Sequence, residues 1–539
     1  MAEKKRPSFM MNVLTIIFSQ IVVKLFGFVY RVVLYRVPGW TDETNGYYNF
    51  GFQIYALLLA ISSVGIPNAI SKLISEKCAM GNYRGAVRIF KISLALFASI
   101  GGALSLLLYF GAGFFSTYIL SAPGAVYSMR VLSPAIFFVS VSSVIRGFLM
   151  GQHNAKATST SQILEQLLKT TTSIAFVMLV VGSSAEYMAA AATLATTVST
   201  VLSFMYLLAF TARNKKELYE KAAATPEARE TQSALSVAKS VLWVSIPISL
   251  GSIVTSLNRV LDIITVNRGL ITAFASRIPD PTALEKNAAT LSGILSKTDV
   301  LINLPLAINI AFATVLVPTV AGAYAVKDYS TAAKRVSFSL LTSIIIALPC
   351  AAGYAVLADG ILRMIYPSAA SGAVLFMMLT PTVFFSAMSQ TIYGGLQGMG
   401  KIFVPAISVL CGGVAKLIIN LTLIPMEGVN IYGAPIGSIA CQGIAFFVSF
   451  YVLRKNLPFK IDYNRYYLRP IISTGLMAAV VWALHHFGER MIGNTIATVL
   501  SIAIGAVVYF VMIFALRVFT PEEMRMLPFG DKIAKALGK

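Results

Sequence analysis

Residues 134–154 read PAIFFVSVSSVIRGFLMGQHN, and residues 381–401 read PTVFFSAMSQTIYGGLQGMGK. At a constant offset of 247 they share Pro134/Pro381, Phe137/Phe384, Phe138/Phe385, Ser142/Ser389, Ile145/Ile392, Gly147/Gly394, Leu149/Leu396 and Gly151/Gly398. The same offset sets Ser161 on Ser408 and Lys169 on Lys416. Weaker echoes pair NYRGAVR (82–88) with DYSTAAKR (328–335), and YRV (30–32) with NRV (258–260). An apolar segment written twice at this spacing predicts an internal duplication. The mismatches are Arg146 against Tyr393 and Glu165 against Gly412, which make the first copy the more charged one.

The chain is 57% hydrophobic and 12% charged, with mean hydropathy +0.76. Soluble domains carry about twice that charge. Apolar runs of about 20 residues recur along its length, which predicts membrane-spanning helices rather than barrel strands. Fourteen are expected, the first seven at roughly 12–36, 48–70, 88–111, 127–150, 160–182, 187–211 and 240–267. The other seven lie at roughly 298–322, 335–357, 371–396, 403–425, 433–453, 469–487 and 494–516. MAEKKRPSF and the apolar run after it resemble a signal peptide. That run is too long, carries Lys24 and Arg31, and lacks a small-residue cleavage site, so it reads as the first helix. Six helices per copy is an even number, so the copies are parallel repeats, and in transporters built this way the substrate site lies at the repeat interface. The expected division is an N-lobe (1–211), a charged interlobe linker near the headgroups (212–239), a C-lobe (240–453), and helices 13 and 14 with a tail (454–539).

With the N-terminus inside, the cytoplasmic loops and tails hold 28 Lys/Arg against six outside (Arg268, Arg277, Lys286, Lys297, Arg363, Arg490). Both termini are therefore expected in the cytoplasm, in the cell membrane. The net charge of +21 needs no nucleic acid to explain it, since the chain has no soluble basic domain. Cys78, Cys350, Cys411 and Cys441 are isolated, and His153, His485 and His486 form no HxxxH pair. No disulfide framework, metal site or cofactor is expected. The two adjacent histidines read as interfacial residues. The glycines of GGLQGMG (394–400) read as helix packing and a tight turn, because no strand precedes them to make a phosphate loop.

Nine cations fall inside predicted spans: Lys24, Arg31, Arg36, Lys91, Arg130, Arg146, Lys169, Arg259 and Lys416. The clear acids there are Glu165 and Asp262, with Asp299 at the mouth of helix 8. A central Lys or Arg costs roughly 2.5–3.5 kcal/mol on insertion scales, so it faces water or a partner. Arg36, Lys91, Arg130 and Arg146 lie near helix ends, within snorkelling reach of headgroups. Lys24 and Arg31, two turns apart, line one face of helix 1. Arg259 is spaced to pair with Asp262, and Glu165 with Lys169. A positive excess remains. It points to a central, water-accessible cationic cavity and an anionic, phosphate-bearing substrate, with structural interhelix pairing as the competing reading.

GIPNAISKLISE (65–76), SQILEQLLK (161–169), KLFGF (24–28) and AKLIIN (415–420) resemble the MurJ-type lipid II flippases. The resemblance is closer to the branch containing stage V sporulation protein B, within the multidrug/oligosaccharidyl-lipid/polysaccharide exporter superfamily. It implies fourteen helices in a 6+6+2 arrangement and a flippase, not an enzyme. The implied cargo is an undecaprenyl-pyrophosphate-linked saccharide, lipid II in the first instance, with the prenyl chain left among the membrane lipids. The family's cavity cations carry over onto Lys24 and Arg31, the latter one residue out of register. Asp299, six residues before Pro305, matches the family's acid; Val300 replaces its neighbouring arginine, and Lys297 is the nearest substitute. Arg146, Glu165, Lys169, Arg259 and Lys416 complete the expected substrate-binding set. Some relatives hold sodium between helices 7 and 11, which places Asp262 and Asn420 in an ion-coupling role, with Lys416 approaching Asp262 in sodium's stead. Two other cargoes remain open: a capsule, teichoic or spore polymer on the same carrier, and a multidrug cation exchanged for an ion. An exchanger would need carboxylates in excess. A membrane glycosyltransferase would need positioned acids or bases, and the outer acids are scattered.

Overall fold

The computed structural model describes residues 22–24, 26–152, 154–214, 216–224, 233–367, 369–458, 462–520 and 523. The start of the first helix, the signal-peptide alternative, His153 and most of the C-terminal tail lie outside these residues. Every described part of the fourteen expected segments is mainly helical, and no strand occurs among the described residues. Eleven helices among them are long and apolar enough to cross a membrane. The protein is an all-α, multi-pass membrane protein.

The helices are α1 (described from 22 to 34), α2 (Asp42–Ser62), α3 (Ile66–Ala79), α4 (Tyr83–Phe114), α5 (Val126–Gly151), α6 (Ala155–Leu179) and α7 (Ala185–Asn214). There follow α8 (Lys216–Ala223), α9 (Ala234–Phe274), α10 (Pro281–Ala325), α11 (Tyr329–Val356), α12 (Ala358–Ile365) and α13 (Ala373–Leu379). The last are α14 (Pro381–Gly398), α15 (Val404–Leu423), α16 (Gly433–Asn456), α17 (Arg469–Ile492) and α18 (Asn494–Ala515). Two expected helices are split. The segment expected at 48–70 breaks at 63–65, where Pro67 opens α3 and the Gly65 N–H leaves the ladder to donate to Ser249 Oγ at 3.1 Å. The segment at 371–396 breaks at Thr380 because Pro381 has no N–H to continue the ladder. Two others run longer than expected: α9 has 41 residues and α10 has 45. Arg268, Lys286 and Lys297 therefore stand on helices rather than in loops.

The chain divides into two compact units, one ending at Ser296 but including Asn420–Ile431, the other made of Lys297–Ile419 and the residues from Tyr432 onward. In the first unit α5 is the buried strut, packed by α3, α4 and α7. A Cβ at Gly147 would come within 2.9 Å of the Pro67 carbonyl oxygen, and one at Gly151 within 3.0 Å of that of Ser71, so α5 lies directly on α3. Phe148 stacks on Phe90 of α4 with ring centroids 4.1 Å apart. Without water to drive apolar burial inside a bilayer, such close backbone approach is what helix association rests on.

The second unit repeats the device. A Cβ at Gly394 would meet the Ala313 carbonyl oxygen at 2.6 Å, and one at Gly398 that of Val317 at 2.8 Å, so α14 lies on the later half of α10. Gly400 closes the helix with φ +79°, in the left-handed region. The shared glycines thus do the same packing in both copies, as the duplication implies. Asn309 binds α14 through the Ala387 carbonyl (2.8 Å), while Ser343 of α11 donates to its Oδ1 (2.7 Å). At one end, Arg363 of α12 pairs with Glu489 of α17 at 2.7 Å, and His485 Nε2 lies 3.1 Å from Thr498 Oγ1 of α18. His485 is therefore tied to a neighbouring helix, while His486 stacks on Trp482.

Candidate functional site: membrane-embedded cations and their seats

The close approach of α2 and α10 builds the site in the first unit. A Cβ at Gly46 would come to 2.2 Å from the Ala289 carbonyl oxygen, and one at Gly293 to 1.7 Å from that of Asp42. This contact lets Asn45 Nδ2 donate to the Gly293 carbonyl at 2.8 Å, which fixes the amide so that its Oδ1 faces α1. Arg31 Nη1 donates to that Oδ1 at 2.8 Å, and its guanidinium lies 4.3 Å from the centroid of the Tyr48 ring. Gly293→Leu is expected to force the two helices apart and to destabilise the protein by at least the roughly 1–3 kcal/mol of ordinary overpacking. Thermal unfolding in detergent micelles checks it, with an unchanged melting temperature as the contrary result.

Lys169 of α6 takes the same kind of seat. Its ammonium lies 4.8 Å from the Phe52 ring centroid and 5.8 Å from that of Tyr30, whose hydroxyl is 2.9 Å from Ser173 Oγ. Tyr48 and Phe52 stack in parallel at 5.9 Å, so one aromatic ladder on α2 serves both cations. An aromatic face offsets part of the desolvation cost of a cation without neutralising it. Lys24 on α1 is exposed and within electrostatic range of Arg259 on α9, which is exposed too. Five of the six cations in the expected binding set (Lys24, Arg31, Arg146, Lys169, Arg259) thus belong to this unit. The aromatic and amide seats of Arg31 and Lys169 were not anticipated, although NGYYNFGFQIY (45–55) carries the signal in Tyr48, Phe52 and Tyr55 at helical spacing.

Arg146 is placed otherwise than expected. It does not snorkel: it is 8% exposed and bonded to Glu165 Oε2 (2.7 Å) and Ser161 Oγ (3.1 Å) of α6 and to Ser203 Oγ (3.4 Å) of α7. Glu165 also accepts from Thr200 Oγ1 at 3.4 Å, so its carboxylate turns to Arg146 rather than to Lys169. This pair neutralises itself and ties α5, α6 and α7 together. The second copy has no such pair. Tyr393 stands for Arg146, and Gly412 for Glu165, where a Cβ would meet the Cys441 carbonyl oxygen of α16 at 2.2 Å.

Asp262 of α9 accepts from Asn420 Nδ2 at 2.8 Å, and Thr265 Oγ1 lies 3.0 Å from the same nitrogen. The two residues expected to share an ion site are therefore adjacent within the first unit. Asp299 and Lys416 belong to the second unit, both half-buried. Lys297, expected in an outer loop, is instead 1% exposed on α10, and its ammonium donates to the Ala369 carbonyl (2.5 Å) and Ser371 Oγ (3.1 Å). It anchors the segment before α13. No group of three or more metal-ligating His, Cys, Asp or Glu occurs among the described residues.

Comparison with known proteins agrees with this architecture. Stage V sporulation protein B of Bacillus subtilis (strain 168) is 23% identical over 536 residues, covering 98% of this chain and 99% of its own. The lipid II flippase MurJ of the same organism is 23% identical over 516 residues, covering 90% of this chain and 91% of its own. Among solved structures, a lipid II flippase MurJ in an inward closed conformation superposes with TM-score 0.67 at 15% identity, over 94% of this chain and 99% of that one. An inward-facing multidrug resistance MATE family transporter of the MOP superfamily gives TM-score 0.65 at 17% identity, over 82% of this chain and 97% of that one. The fold is therefore one shared with membrane transporters. The profile of the polysaccharide biosynthesis protein family matches residues 9–324, more than half of the sequence, and the chain belongs to that family.

Proposed function

We propose that the protein is a flippase that moves an undecaprenyl-pyrophosphate-linked saccharide, the peptidoglycan precursor lipid II, from the inner to the outer leaflet by alternating access. The observation that carries this reading is a set of cations on the first unit that no carboxylate meets among the described residues. Arg31 and Lys169 are held on aromatic rings rather than on carboxylates, and Lys24 lies within range of Arg259. Cations kept charged inside a membrane protein call for an anion, and a pyrophosphate offers several charge-assisted bonds at once. On this reading Asp299 and Lys416 are further polar residues of transport, and both termini are cytoplasmic, in line with the excess of loop cations.

A potential negative inside favours export of an anion by about 2.3 kcal/mol per charge per 100 mV, and a coupling ion would add to that drive. The proposed place for it is Asp262 with Asn420, and Lys416, one helical turn before Asn420, supplies a fixed charge in place of sodium. Asp262→Asn is expected to remove the dependence of transport on the ion or pH gradient that drives the wild type. If transport by the wild type depends on sodium and survives Lys416→Ala unchanged, the role given to Lys416 is wrong.

The full-length similarity to stage V sporulation protein B favours a second reading, the same machine with another lipid-linked saccharide (a capsule, teichoic or spore polymer) as cargo. Expression in a strain depleted of its lipid II flippase separates the two. Restored growth supports lipid II. Failure to restore growth, with the protein correctly in the membrane, moves the assignment to another polymer.

A further inference from the structure

A second cationic feature lies away from the residues above. Arg84, Arg88 and Lys91 follow one another at i, i+4 and i+7 on the first turns of α4 and line a pocket of about 750 Å³ closed by Tyr219 of α8 and Ala234 at the start of α9. Lys91 Nζ lies 5.9 Å from the Tyr219 ring centroid. Tyr219 and Ala222 pack into an apolar cluster with Val87, Val237 and Val241, so α8 is seated against α4 rather than lying loose beside it. No acidic side chain is among the described residues that line the pocket.

Its depth follows from helix length. The apolar run Tyr83–Ile119 has 37 residues. At about 1.5 Å per residue it is roughly 55 Å long, against roughly 30 Å of hydrocarbon. Its first turns must therefore project into the headgroup layer, and from Ile92 to Ile119 it carries no charge at all. A pocket on those turns would open at the level where lipid phosphates lie. Three cations, one aromatic wall, no acid among the described lining residues and that depth suit a phosphodiester headgroup, with the acyl chains running down the apolar face of α4.

We propose that this pocket is a binding site for an anionic phospholipid headgroup in the leaflet where α4 begins, with Arg88 and Lys91 holding the phosphate and Tyr219 forming its wall. The site is separate from the proposed transport cations, and its occupancy does not depend on what the protein carries.

Native mass spectrometry of the full chain, released from micelles containing phosphatidylglycerol or phosphatidylcholine, tests the assignment. The wild type is expected to retain one tightly held phosphatidylglycerol and no matching phosphatidylcholine. Arg88→Gln with Lys91→Gln should weaken that binding about 30-fold, the loss of two headgroup-level cations. Arg88→Lys with Lys91→Arg should keep it, and the exposed Lys91→Gln alone, which leaves the buried packing intact, should weaken it about fivefold. Unchanged retention in both glutamine variants overturns the proposal. Displacement of the lipid by millimolar inorganic pyrophosphate overturns the lipid assignment too, and gives the pocket to a soluble phosphoryl ligand.

Discussion

Replacing Lys24, Arg31 and Arg259 together by alanine is expected to reduce transport roughly a thousandfold while leaving the folded protein in the membrane. Charge-assisted hydrogen bonds are worth about 1.5–3 kcal/mol each. Three of them lost from the bound pyrophosphate amount to at least three decades of affinity or rate. Stability should change little, because Lys24 and Arg259 are exposed and only Arg31 has a packed seat, on Asn45 and Tyr48. Lysine at position 31 is expected to recover part of the loss, since it keeps the charge but not the planar stacking on Tyr48. A triple variant with full activity would refute the cationic mechanism.

The opposite pattern is expected at Arg146. Arg146→Ala leaves the Glu165 carboxylate without its 2.7 Å partner, in contact only with Thr200 and the surrounding helices. Breaking a buried pair from one side costs about 3–5 kcal/mol. The lower end applies here, because the Glu165 side chain keeps 26% of its exposure. Unfolding in detergent micelles should show that loss, and Arg146→Met with Glu165→Met should recover most of it, since removing both charges removes the penalty. An Arg146→Ala protein as stable as the wild type would show that the pair does not hold α5, α6 and α7 together.

These two predictions separate charges that the sequence alone leaves mixed. The repeat at offset 247 was legible because close helix packing tolerates little besides glycine, so Gly147 and Gly151 return as Gly394 and Gly398. The helices were legible because a bilayer imposes long apolar runs on any chain that crosses it. The fate of a single arginine is different. Arg146 lies near a helix end, which reads as snorkelling, but its partners arrive from α6 and α7, 15 to 57 residues further along. Lys297 misled in the same way: a charged residue before an apolar run reads as a loop, yet α10 extends well ahead of that run and buries the side chain among backbone acceptors. The aromatic ladder under Arg31 and Lys169 went unread, although Tyr48, Phe52 and Tyr55 recur at helical spacing. Only the packing of α1 and α6 beside α2 gives it a purpose.

The central claim is that this protein moves a pyrophosphate-linked saccharide between leaflets, and a leaflet assay in reconstituted vesicles tests it most directly. Lipid II placed in the inner leaflet should reach an externally added lipid II-binding probe when the wild type is present, and should fail to do so with the Lys24/Arg31/Arg259 triple alanine variant. If the probe reaches the substrate equally fast with the wild type, with the triple variant and in protein-free vesicles, the account is contradicted.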